Sequence, residues 1–231
     1  MSGTTRRWPD GWTVEHVAAT GSTNDDLAAA ADRLPDRSVL VADHQRAGRG
    51  RLDRRWDAPP GSNLLVSLLF RYVPDLPGEL TRRVGLAVLE ACDRTADVRA
   101  GLKWPNDLVV DGAKLAGILA ERVPTGPVVV GLGLNVRWAP SGAARLGEAI
   151  DPLEVLAALL TAYDELPDDV FEQYRSRLVT LGQDVRVELP AGVIEGRAVD
   201  LEPDGRLVVV DGAGVRHRLD TGDVVHLRPQ G

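Results

Sequence analysis

The chain of 231 residues contains 25 arginines but two lysines, Lys103 and Lys114, and both fall in one stretch, KWPNDLVVDGAKLAG. Lysine is ordinarily a common residue, so a surface that does without it elsewhere implies that these two positions need something arginine lacks. An ammonium is a compact point charge on a flexible stem, whereas a guanidinium is a broad planar fork. A crowded site beside a phosphate or carboxylate favours the ammonium. Asparagine is nearly as sparse, with four in the chain: Asn24, Asn63, Asn106 and Asn135. Taken singly, Asn24 reads equally well as a helix cap and Asn106 as a turn residue after Pro105. The coincidence of rare residues with one another is the stronger signal.

A second concentration of chemistry is GRGRLDRR, Gly48 to Arg55, with four arginines in eight residues interleaved with two glycines. Glycine lets backbone amides approach an anion closely, and guanidinium forks match carboxylates and phosphates. A solvated basic loop would have the same composition, so position has to separate the two readings. The string lies inside HQRAGRGRLDRRWDAPPGS, which has no periodicity and exceeds the ~12–15 residues beyond which unstructured loops are usually functional or disordered. Ligand-binding residues are commonly carried on such loops between rigid strands. GLGLN, Gly131 to Asn135, and the pair Ala116–Gly117 add small residues that leave room for a ligand against the backbone.

Several classes of function are excluded. His16, His44, His217 and His226 show no metal-ligand spacing, and with one cysteine neither a zinc site nor an internal disulfide is expected. That cysteine, Cys92, sits in the apolar run VGLAVLEAC and reads as a small buried hydrophobe. Neither a G-x-S-x-G elbow nor a Walker loop occurs. Catalysis, if any, would rest on positioning and charge stabilisation. The net charge of −7 and the lack of stacking aromatics near the basic loop, Trp56 apart, argue against a nucleic-acid surface. No run approaches the ~18 apolar residues of a membrane span, and the N-terminus lacks the apolar stretch of a secretory signal, so a cytoplasmic protein is expected.

These residues need a scaffold, and the sequence describes one. TVEHV alternates as a half-buried strand and STNDDLAAAADR reads as a capped helix, with Asp25 and Asp26 at its positive end. SVLVAD, NLLVSLLFR and PVVVGLGLNV are strand-length apolar runs, and ELTRRVGLAVLEACDRTAD carries one apolar stripe. LKWPNDLVV and KLAGILAERV read as a hairpin about the Asp111–Gly112 turn, placing the two lysines on its arms, with Pro105 marking an edge or bulge. Residues 151 to about 181 read as helical, with Pro152 and Pro167 each suited to a first helical turn. From Gly182 onward, short strands alternate with PDG, DGAG and TGD turns. The expectation is an α/β (α+β) domain with a mixed sheet over residues 1–181 and a small all-β barrel over 182–231.

Assembled in order, STN, QRAGRGR, W followed by PPGSNLLVSLL, KWPNDLVVDGAKLAGIL and GLGLNV resemble the biotin protein ligases, across essentially the whole chain. The resemblance implies a mixed-sheet catalytic domain of the biotin/lipoate ligase type and an SH3-like C-terminal barrel. It further implies formation of biotinyl-5′-AMP from biotin and ATP, then transfer to a lysine of a biotin carboxyl carrier protein. On the family pattern Ser22, Thr23, Asn24, Gln45 and Gly117 lie at the biotin, with Arg49, Gly50, Arg51 and Lys114 at its carboxylate and the phosphate. Arg49, Arg51 and Lys114 are the catalytic candidates. Arg51, Arg54, Trp56, Lys103, Asn106, Asp107 and Asn135 are implied around ATP or the adenylate, with Mg²⁺ held on the phosphates near Asp107. The glycine-rich loop is expected to shield the adenylate from water.

Leu52 and Asp53 depart from the family's usual GRGRxGR, which bears on how that loop moves and retains adenylate. A first strand near Thr13 leaves no room for the DNA-binding unit some relatives carry, so an enzyme only is expected, a monomer or homodimer without nucleic-acid or membrane partners. A lipoate or octanoate ligase or transferase shares the fold and is the nearest alternative. A non-enzymatic binding module is the alternative from another class, although the excess positive charge it would need is missing.

Overall fold

The structure is a computed structural model that describes residues 7–51, 54–76, 78–190, 192–220 and 222–226. Leu52 and Asp53 lie outside the described residues.

The first half builds one sheet. Strands β1 (Thr13–Val17), β2 (Ser38–Ala42), β3 (Leu64–Phe70), β4 (Gly101–Lys103), β5 (Asp107–Val110), β6 (Ala113–Arg122) and β7 (Val128–Leu134) pair in the order β1-β2-β3-β7-β6-β5-β4. The β1–β2 ladder is parallel and the others antiparallel, which makes the sheet mixed. Side chains alternate across a strand, and the central strands use both faces. Leu64, Val66, Leu68 and Phe70 of β3, with Val128, Val130, Leu132 and Leu134 of β7, join the main core. That core is closed by α2 (Gly78–Ala96) and α3 (Pro152–Asp164). Leu69 of β3 and Val129 of β7 face the other way, where Leu27 and Ala31 from the region of α1 (Thr23–Ala30) cover one end only. The rest of that face is left for other uses.

Cys92 is fully buried on α2, and burial pushes its thiol up to about 12. Asp151 caps α3 by accepting from the Leu153 amide, with Pro152 in the first turn. Pro167 starts no helix; α4 (Phe171–Ser176) begins four residues later, after a bend at Asp168 and two residues without regular structure. The two lysines do not share a hairpin. Asp111 and Gly112, both at positive φ, turn β5 into β6, while Lys103 belongs to the next strand out, β4, and pairs with Asp107. Pro105 breaks the expected single strand into β4 and β5, and β5 carries a register shift at Leu108/Val109.

The second sheet comprises β8 (Asp184–Leu189), β9 (Gly192–Leu201), β10 (Leu207–Asp211), β11 (Arg216–Leu219) and β12 (Asp223–His226). All five expected strands form, all antiparallel, in the order β11-β10-β9-β8-β12. This is the small all-β domain expected from the turn spacing; among the described residues no ladder joins β11 to β12. It is anchored to the first sheet through the β4–β5 turn, where the Trp104 amide donates to Thr180 Oγ1 at 3.0 Å and the indole donates to the Gly205 carbonyl at 3.0 Å. No helix among the described residues is long and apolar enough to cross a membrane.

Candidate functional site

A cavity of about 320 Å³ opens on the face of the seven-stranded sheet that α1 leaves bare. Part of its wall is uncharged and heavily hydrogen-bonded. Ser22 is the N-cap of α1, its hydroxyl facing the Asp25 amide, so Asn24, which sequence alone allowed as a cap, lies inside the helix instead. Gln45 Oε1 accepts from both the amide and the hydroxyl of Thr23, at 2.7 and 3.0 Å. Buried Ser67 of β3 places its Oγ 2.7 Å from Thr23 Oγ1 and 2.6 Å from Asn24 Oδ1, and with one proton it can donate to one at a time. Asn24 Nδ2 donates to Glu121 at 2.7 Å and to the Leu119 carbonyl at 3.3 Å. The network fixes these groups without using all their capacity, so a polar ligand ring could still be hydrogen-bonded.

The same cavity gathers cations, each already facing an acid or a carbonyl, and Arg49 meets the uncharged groups by sharing Glu121 with Asn24. Arg49 pairs with Asp25 and, at 3.2 Å, with Glu121. Burial is the largest influence on its guanidinium and lowers its pKa, but Glu121 and Asp25 together outweigh it, and the net shift is upward. Arg51 donates to Asn106 Oδ1 at 3.2 Å and to the Gly222 carbonyl at 3.4 Å. Its pKa is lowered, chiefly by burial, with Asp107 and Asp223 opposing that and Arg54 adding to it. Arg54 pairs with Asp223 of β12. Lys114 Nζ lies 2.7 Å from Asp107 and 5.6 Å from the Trp56 ring centroid. A carboxylate or phosphate entering here would meet fixed positive charge in a partly dry setting, where such charge acts strongly.

Glycine makes the cavity. On β7, Gly131 and Gly133 alternate with core residues and point to the cavity face. A Cβ at Gly131 would sit 2.2 Å from Asn24 Oδ1, and one at Gly133 would sit 2.4 Å from Trp56 Cε2. At Gly117 the nearest atom would be Lys114 Nζ at 3.2 Å. The long basic loop is therefore seated on bare backbone: the Gly48 carbonyl accepts from the Trp56 amide at 3.0 Å, and the Trp56 indole is laid across β7. The indole Nε1 is buried with no hydrogen-bond partner. Asn135 is 3% exposed and acts as a strut, its Nδ2 donating to the carbonyls of Lys114 (3.4 Å) and Ala144 (3.0 Å) while Asn63 donates to its Oδ1 at 3.3 Å.

The cavity thus brings together every residue that the family pattern implied at biotin or ATP except one, while the rare Asn63 lies behind its wall against Asn135. Lys103 is not on its wall; its charge falls near His226, whose pKa is lowered chiefly by burial and further by Lys103. Sequence reasoning missed Ser67, Asp25 as an ion-pair partner, Glu121, and the contribution of Gly222 and Asp223 from the second sheet. Asp25 was visible in STNDD but carried a helix-dipole reading that explained it. Nothing local marks Asp223, which meets Arg54 across 169 residues.

Residues 18–135 match the biotin/lipoate A/B protein ligase family, and residues 180–227 match the biotin protein ligase C-terminal domain. The chain belongs to the biotin/lipoate A/B protein ligase family. Its second domain and its relatives place it among the biotin protein ligases. The biotin–[acetyl-CoA-carboxylase] ligase of Mycobacterium tuberculosis is 41% identical over 251 residues, which span 94% of this chain and 91% of that protein. The bifunctional ligase/repressor BirA of Bacillus subtilis is 27% identical, over 87% of this chain and 69% of that one. Among solved structures, the biotin protein ligase from Aquifex aeolicus in complex with biotin and ATP superposes with a TM-score of 0.78 at 27% identity, covering 94% of this chain and 99% of that one.

Proposed function

We propose that this enzyme joins biotin to ATP and passes the biotinyl group to a lysine of a biotin carboxyl carrier protein. In the first step a carboxylate oxygen of biotin attacks the α-phosphorus of ATP; a P–O bond forms, the α–β anhydride breaks, and pyrophosphate leaves. In the second, the acceptor amine attacks the mixed-anhydride carbonyl; a C–N bond forms, AMP leaves, and the amine gives up a proton.

The observation that carries this reading is that uncharged hydrogen-bonding groups at Ser22–Asn24 and Gln45 line one cavity together with the cations Arg49, Arg51 and Lys114. Biotin's ureido ring suits the first and its carboxylate the second. Two anions must meet, and Arg49, Arg51 and Lys114 offset their repulsion from fixed positions. Asp25 and Glu121 hold Arg49 in place beforehand, Asp107 holds Lys114, and Asn106 and the Gly222 carbonyl accept from Arg51. We assign the ATP end to Arg51, Arg54, Trp56, Asn106, Asp107 and Asn135, and place the domain boundary at 181/182, between the strands of the two sheets.

No group of three His, Cys, Asp or Glu side chains among the described residues could hold a metal by itself. Mg²⁺ is commonly held by one or two carboxylates together with substrate phosphates. Asp107, on the cavity wall, is the carboxylate we assign to it, and the ion would supply charge neutralisation on the phosphates.

Biotin-dependent exchange of labelled pyrophosphate into ATP, with lipoate and octanoate run in parallel, tests the reading. Exchange with biotin alone is expected; exchange with lipoate alone would transfer the chain to the sister class.

A further inference from the structure

A second cavity, of about 360 Å³, lies around the β4–β5 turn from the first, between the start of α2 and the second sheet. The two share Arg51, Asn106, Ile118 and Leu119 as a common wall. Its most unusual occupant is Arg82 of α2, which is 5% exposed and whose Nε has no hydrogen-bond partner. A buried guanidinium is costly unless paired, and an apolar side chain of similar size would ordinarily stabilise such a position better. Among the described residues no ion pair joins Arg82 to either carboxylate that lines the cavity. Asp204 is engaged by Arg206 at 2.5 Å, and the field of Arg82 reaches it only as a further lowering of its pKa, behind Arg206. Asp220 also lines the space.

Gly205 fits the same picture, since a Cβ there would lie 2.9 Å from Arg82 Nη1, so the turn approaches the guanidinium with bare backbone. Gly78 and Thr81, in the first turn of α2, complete that wall, and a helix N-terminus favours anions. Arg51, Arg82, Arg206 and the start of α2 therefore line one open cleft, in which Arg206 is already paired with Asp204 and Glu202 while Arg82 is not held in an ion pair among the described residues.

We propose that this second cavity is an anion site of the phosphate class, with Arg82 its anchoring residue, and that its occupant is the pyrophosphate released on adenylation. The occupant, though not the site, rests on the function proposed above. Arg51 faces both cavities, so a diphosphate leaving the first could stay in contact with one guanidinium while reaching the next. Withdrawal in this direction separates the leaving group from the adenylate and opposes the reverse reaction.

Titration calorimetry with inorganic pyrophosphate, and separately with inorganic phosphate, on the full chain tests this without requiring turnover. Pyrophosphate is expected to bind at least tenfold more tightly than phosphate, Arg82→Gln to weaken it at least tenfold, and Arg82→Lys to restore part of it. Arg82→Met is expected to keep or raise the melting temperature without anion and to lose the rise that pyrophosphate gives the parent. Equal affinity for the two anions overturns the assigned occupant. Pyrophosphate binding unchanged in Arg82→Gln, or an Arg82→Met protein that is destabilised without anion, overturns the site. The biotin-dependent exchange assay reports separately on the proposed function.

Discussion

The two faces of the seven-stranded sheet are made by the same strands and obey opposite rules. Towards α2 and α3, β3 and β7 present Leu64, Val66, Leu68 and Phe70 and Val128, Val130, Leu132 and Leu134, an apolar layer in which size is the asset. On the other face Leu69 and Val129 are packed beneath α1, but at and behind the cavity the positions are Ser67, Gly131 and Gly133, where smallness and a single hydroxyl are the asset. One face was shaped to exclude space and the other to keep it. Stability and activity should therefore separate along a single strand, residue by residue.

The sharpest way to break that claim uses adjacent residues of β3. Leu68→Ala should cost about 2–5 kcal/mol of stability, as large-to-small core changes do, seen as an earlier urea midpoint, with the KM for biotin unchanged in the surviving fold. Ser67→Ala should cost about 1 kcal/mol, the worth of one hydrogen bond, while raising the KM for biotin through the released Thr23 and Asn24 side chains. If both mutants change the same quantity, the two faces are not independent. On β7, Gly133→Ala puts a methyl 2.4 Å from the Trp56 ring and forces the basic loop off its seat. Misplacement on this scale is expected to lower kcat/KM in the exchange assay about 100-fold, while circular dichroism is unaltered.

A smaller effect is expected where charge is kept and shape is changed. Lys114 Nζ is held between Asp107, Gly117 and the Trp56 ring. A guanidinium there must displace one of them, so Lys114→Arg should lose about tenfold in kcat/KM although its charge is intact. Activity close to the parent would show that compactness is not why lysine stands at this position.

How much of this was legible beforehand follows the range of the signal. The mixed sheet, the five late strands and the capped α1 were readable because periodicity and turn residues are local. The cavity's cations were readable because rare lysines and a GRGR string stand out in composition. Pairing across the fold was not: Arg54 with Asp223, Arg49 with Glu121, and Ser67 with Asn24 join segments whose own sequences explain themselves without a partner. Rarity also had no sense of direction. It marked Lys103 and Lys114 alike, and the added strand break at Pro105 put one beside the cavity and the other against the second sheet.

That difference between the two lysines yields the smallest effect and a pH dependence. His226 on β12 is half-buried, with its Nε2 3.4 Å from Thr180 Oγ1, and burial first and Lys103 second hold its pKa below the ordinary 6.5. Above 6.5 the imidazole is neutral folded and unfolded alike, and its contribution to stability is complete. As pH falls below 6.5 the unfolded chain takes up a proton that the folded chain refuses until lower pH, so stability is lost through that window. Lys103→Met removes one of the two causes and should narrow the loss on acidification. The group is partly solvated, so the narrowing should be only about 1–2 °C in Tm between pH 7 and pH 5. Lys114→Met, on the cavity side, should leave the acid-side slope as it is. Equal changes in the two variants would mean that Lys103 is not placed against the second sheet, and the separation of the two lysines would fail with it.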